Sequence, residues 1–97
     1  MWETAGNELP SKYRLNQNYL NAFNPVSKIQ YDIPQISFVT IIVYDVLGSE
    51  VATIANEEEP AGNYKVEFNG SKLTSGVYFY QLRAGDYTNT KKMILLR

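Results

Sequence analysis

Three consecutive carboxylates, Glu57-Glu58-Glu59, are the densest cluster of chemically capable groups in the chain, and Asp45 is the other acid in a turn-like setting. Together they raise the question of a cation site. A calcium loop presents oxygen ligands at alternating positions around a tight turn. A bare acidic triplet directly before Pro60-Ala61-Gly62 does not do this, which favours a solvated turn. Asp45 precedes Val46-Leu47-Gly48, where an aspartate usually bonds its own backbone. The chain has no His and no Cys. A His-based triad, an imidazole base, a thiolate nucleophile, a disulfide and a Cys-ligated metal are therefore excluded by composition. Gly48, Gly62, Gly76 and Gly85 are isolated turn glycines without the spacing of a phosphate loop. No constellation for catalysis remains, so the expectation is a protein that is not an enzyme and that uses no cofactor or metal.

Two features survive as candidates for recognition. Lys91-Lys92 is either a recognition patch or a pair of charges that guards an edge strand against unwanted pairing. The tyrosines, eight in all, could line a carbohydrate groove, but several alternate with Val66 and Leu82, which favours core packing.

The elements that must hold these residues are strands. Ile29, Tyr31 and Ile33 alternate on one face of a strand closed by Pro34. Phe38 to Tyr44 is apolar on both faces except at Thr40, as a central strand would be. Glu50 to Glu59 is ambiguous, because Val51, Ile54 and Ala55 would also suit a short helix. Tyr64, Val66 and Phe68 form a clean period-2 face, expected to oppose Tyr78, Tyr80 and Leu82. Lys12 to Asn16 reads as a short edge strand, and Leu73, in a loop, as a plug for the open end of the core. Val77–Arg83 and Tyr87–Leu96 are the last two strands, joined at Gly85. About seven short strands at roughly 8–12-residue spacing predict an all-β fold, an immunoglobulin-like antiparallel sandwich.

Size and charge agree with a single module. The chain has 97 residues, 44% of them apolar, and a net charge of −1 from nine basic and ten acidic side chains. That is one ordinary domain. It lacks the basic footprint of a nucleic-acid binder, so no nucleic-acid partner is expected. Residues 1–11 read as a flexible lead-in and residues 12–97 as the domain. The start has neither a basic nor an apolar signal region, and the longest apolar run, Ile41–Tyr44, is far too short to cross a membrane. If the protein is exported, its signal sequence belongs to a longer precursor.

An ordered series of short motifs adds a family resemblance. Leu15-Asn16-Gln17-Asn18-Tyr19, Phe23-Asn24-Pro25 and Ile33-Pro34 come first, then Val43-Tyr44-Asp45-Val46-Leu47-Gly48 and Ala61-Gly62. Ser75-Gly76-Val77-Tyr78-Phe79-Tyr80, Ala84-Gly85 and Lys91-Lys92-Met93 complete it. From about Pro10 to Arg97 this order resembles the type A C-terminal sorting domain of type IX secretion cargo, a family related to the immunoglobulin-like domain of flagellar hook-capping proteins. The chain departs from the pattern at Leu20 and Ala22, where prolines are typical. Proline fixes φ and removes a donor, so their loss should loosen this segment or let it pair as a strand.

The resemblance implies a function that no catalytic residue would reveal. Such a domain directs an N-terminal cargo, in a longer precursor, through the periplasm and an outer-membrane type IX translocon to the cell surface or the medium. A sortase-like surface protease then removes it. The resemblance places recognition in the final hairpin, at Gly85, Lys91, Lys92, Met93, Leu95 and Arg97. The competing expectation is a structural or adhesive module that forms homo-oligomers through exposed edge strands.

Overall fold

A computed structural model describes residues 9–17, 19–21 and 24–95. Eight stretches of strand run in chain order: β1 Arg14–Leu15, β2 Tyr19–Asn21, β3 Asn24–Ile33, β4 Ser37–Tyr44, β5 Glu50–Glu59, β6 Gly62–Asn69, β7 Gly76–Ala84 and β8 Tyr87–Leu95. β1 and β2 lie along the same edge of β3, with Arg14 opposite Asp32 and Tyr19 opposite Lys28. They fill one strand position between them, so the first sheet has the positions β1/β2, β3 and β6. The second sheet has the order β5-β4-β7-β8. Every pairing is antiparallel. Seven strand positions in two layers form the expected β-sandwich, and no helix occurs among the described residues.

Alternation decides which residues fill the space between the layers. β3 contributes Ile29, Tyr31 and Ile33, β4 contributes Val39, Ile41 and Val43, and all six are buried. Tyr78, Tyr80 and Leu82 of β7 and Met93 and Leu95 of β8 continue the layer of the β4 residues, and Phe68 of β6 belongs with the β3 residues to the facing layer. Burying one such side chain contributes about 1.5–3 kcal/mol. Leu73 packs against the core from the β6–β7 loop, as its position suggested. In the same loop Gly70 lies so close to Leu95 that an added Cβ would meet its Cδ1 at 2.6 Å.

Glu50–Glu59, ambiguous between helix and strand, is the strand β5. Its helix-like spacing has a physical cause. The register against β4 shifts between Ile41 and Ile42 and again between Val43 and Tyr44, the signature of β-bulges. Each extra residue resets the inward parity, so Val51, Ala52, Ile54 and Ala55 all pack toward the core.

The acidic triplet also needs correction. Glu57 and Glu58 are exposed at the end of β5, but Glu59 is only 7% exposed, not part of a solvated turn. It sits opposite Ser37, on the inward side of the sheet. The turn after β4 behaves as expected: the Asp45 carboxylate accepts from the amides of Leu47 and Ser49 at 2.9 and 3.0 Å. At Tyr19–Asn21, a segment lacking its expected proline at Leu20, the chain pairs with β3 as a strand. How the side chains of Tyr19 and Phe23 pack lies outside the described residues.

Candidate functional site

The two-residue connection at Gly85-Asp86 sets the geometry of the terminal hairpin. Gly85 has φ +57, a left-handed conformation that a tight hairpin turn requires and that other residues adopt at a cost. From there β7 and β8 pair without interruption, Ala84 opposite Tyr87 through to Gly76 opposite Leu95. Period 2 then sorts the expected recognition residues. Met93 and Leu95 are 2% and 0% exposed and point into the core. Their side chains anchor β8 and present nothing to a partner. Lys92 and Ile94 project outward, on the face away from the core. Lys91 has the parity of Met93, so the two lysines leave the strand on opposite faces and do not make one patch. Gly85 is exposed at the far end of the hairpin, roughly 20 Å along the strand from Lys92. Arg97 lies outside the described residues.

The structure adds residues to this site that sequence reasoning did not single out. The segment Tyr13–Gln17 crosses from the first sheet to the hairpin and is fastened to it at several points. The Tyr13 ring stacks on Tyr87, with centroids 5.2 Å apart and planes at 14°. The Tyr13 hydroxyl hydrogen-bonds Ser37 Oγ at 2.9 Å and would lie 3.0 Å from a Cβ placed on Gly85. The Tyr80 hydroxyl donates to the Asn16 carbonyl at 2.7 Å. The Gln17 side-chain amide donates to the carbonyl of Lys92, on the outer edge of β8. Leu15, between these contacts, is buried in the core. Alternation of Tyr13 and Leu15 was the available signal, and it could not say which strand they would meet.

Among the described residues no group of His, Cys, Asp or Glu is arranged to hold a metal ion. Glu59 is the one buried acid there. The Tyr31 hydroxyl donates to it at 2.8 and 3.1 Å. Burial raises the Glu59 pKa above its ordinary value, the Tyr31 hydrogen bond pulls it down, and Glu57 pushes it up again. Burial, the Glu59 hydrogen bond and the charge of that carboxylate likewise hold the Tyr31 hydroxyl well above the usual phenol range. Tyr64 stacks on Tyr31 at 5.2 Å and turns its own hydroxyl to the Pro60 carbonyl. These groups form a latch between the two sheets. A polar groove of about 280 Å³ on the other sheet includes Gln30, Asp32, Asn63 and Lys65. There Asn63 donates to Asp32 at 2.8 Å, so its polar groups partly satisfy one another.

The described residues thus form a small β-sandwich of two antiparallel sheets, one of them closed by the hairpin that turns at Gly85-Asp86. Residues 21–96 match the family model of the secretion system C-terminal sorting domain, and the chain belongs to that family. It is a sorting domain of type IX secretion, which implies export to the cell surface or the medium. The match spans β3 to β8 in full and begins after the Tyr13–Gln17 segment. No curated protein matches the chain significantly.

Proposed function

We propose that this domain is the label by which an outer-membrane type IX translocon recognises, in folded form, a cargo preceding it in a longer precursor. A sortase-like surface protease removes the domain after passage through the periplasm and outer membrane. The observation that carries this reading is the family match over residues 21–96, which takes in both strands of the terminal hairpin. Kinship with the immunoglobulin-like domain of hook-capping proteins is part of the same proposal. Within the expected recognition set, Gly85 and Lys92 are the exposed members and Lys91 is half-exposed. Met93 and Leu95 act by holding β8 in place, and Arg97 stays a member of the recognition set in this proposal.

Assembly through edge strands is the weaker reading. The β5 edge carries Glu50, Glu57 and Glu58 and two register shifts, and the Gln17 amide occupies a carbonyl on the β8 edge. Charges, bulges and caps of this kind protect edges from pairing.

The test is to fuse the 97-residue chain to the C-terminus of a periplasm-directed reporter in a host with the secretion system. The reporter is expected outside the cell. Lys92→Glu should lower export while leaving the melting temperature nearly unchanged, because exposed charges contribute only about 0–1 kcal/mol. Tyr78→Ala should cost about 3 kcal/mol or more and lose export by unfolding. An intact, folded fusion retained in the periplasm would overturn the proposal.

A further inference from the structure

We propose that the outer face of the β5-β4-β7-β8 sheet is self-complementary and takes a second copy of this chain. The register places Lys92 opposite Phe79, Phe79 opposite Tyr44, and Tyr44 opposite Glu50. Directly paired residues share a face, so one row across the sheet reads basic, aromatic, aromatic, acidic. The neighbouring row is Thr90, Gln81, Ile42 and Thr53, and beyond Phe79 the pair Val77 and Ile94 extends the apolar stripe. No third layer covers this face among the described residues, and Ile94 is 45% exposed.

Charge selects the geometry of the pair. A twofold axis running along the strands, between β4 and β7, lays β8 of one copy over β5 of the other at the same height. Lys92 then faces Glu50 of the second copy, Glu50 faces its Lys92, and Tyr44 and Phe79 stack across the axis. A twofold axis across the strands, through the Thr90 row, would put Lys92 over Thr88 and leave both charges without opposites. Only the first arrangement is complementary at both symmetric contacts, as an isologous interface demands. Four strands about 4.8 Å apart and eight residues at about 3.3 Å give a face of roughly 500 Å² per copy. The total of about 1,000 Å² sits at the lower bound of specific interfaces, so the dimer is a weak one.

The experiment is sedimentation equilibrium on the 97-residue chain from about 1 µM to about 1 mM, the range of weak association. A monomer–dimer equilibrium is expected. Glu50→Lys and Lys92→Glu each place like charges at two contacts and should weaken the dimer by on the order of tenfold or more. An equimolar mixture of those two variants should restore it, because each copy then offers both charges its partner lacks. Phe79→Thr should weaken the dimer with no change of charge, and circular dichroism confirms that each variant is folded. A chain that stays monomeric throughout, a dimer indifferent to the swaps, or a mixture that fails to re-form it would overturn the proposal. Export of the reporter fusion is read separately, so failure here leaves the sorting function standing.

Discussion

Replacing Tyr31 by Phe removes one hydroxyl and keeps the ring that stacks on Tyr64. That hydroxyl is the donor the structure gives to both oxygens of Glu59, at 2.8 and 3.1 Å, in a site where the acid is 7% exposed. A hydrogen bond to a charged group contributes about 1.5–3 kcal/mol, and a neutral one about 1 kcal/mol. The loss should therefore depend on whether Glu59 is ionised. Its pKa in the folded protein lies above the ordinary value of 4.5, mainly through burial. A carboxyl with a raised folded pKa contributes stability that is fully present below its unfolded pKa and is lost as pH rises through the folded one. The Tyr31 bond opposes that shift, so without it the folded pKa climbs further and the loss with rising pH becomes steeper. Tyr31→Phe is expected to cost about 1 kcal/mol near about pH 4 and about 2 kcal/mol or more near about pH 8. For a domain of this size each kcal/mol moves the melting temperature by about 4–8 °C. Thermal melts followed by circular dichroism at both pH values read the difference. A variant that melts with the wild type at the higher pH, or that loses more at the lower, would refute the reasoning.

Other substitutions test how the site is held. Leu15→Ala should cost about 2–5 kcal/mol in urea unfolding, because the side chain is buried although it precedes the family match, and an unchanged midpoint would show the Tyr13–Gln17 segment to be an appendage. Gly70→Ala should cost about 1–3 kcal/mol, because the new methyl meets Leu95 at 2.6 Å inside the core, and wild-type stability would mean that the loop moves aside freely.

Most of the fold was legible because its strands keep period 2. Ile29-Tyr31-Ile33 and Tyr78-Tyr80-Leu82 alternate without error, and each set is buried as its spacing requires. β5 was not legible, because its two bulges break the period and mimic the spacing of a helix. Glu59 was misread for a related reason. A glutamate beside two others before a proline looks solvated, and only the opposite sheet, bringing Tyr31 within hydrogen-bond distance, makes its burial tolerable. The candidate site was legible as a hairpin but not as a surface. Lys91 and Lys92 are adjacent in the chain and therefore point to opposite faces of it.

Composition and local pattern by themselves determined that this is an all-β module without His or Cys chemistry, and the order of its short motifs pointed to a sorting domain. Those properties follow from residue type and from spacing within one strand, which a linear reading contains. Tertiary structure alone decided which strands became neighbours. It brought Gln17 to the carbonyl of Lys92 and Tyr80 to the carbonyl of Asn16, and it aligned Lys92, Phe79, Tyr44 and Glu50 in one row. Pairings between residues so far apart in the chain depend on how both sheets close over a shared core. No local preference encodes that closure.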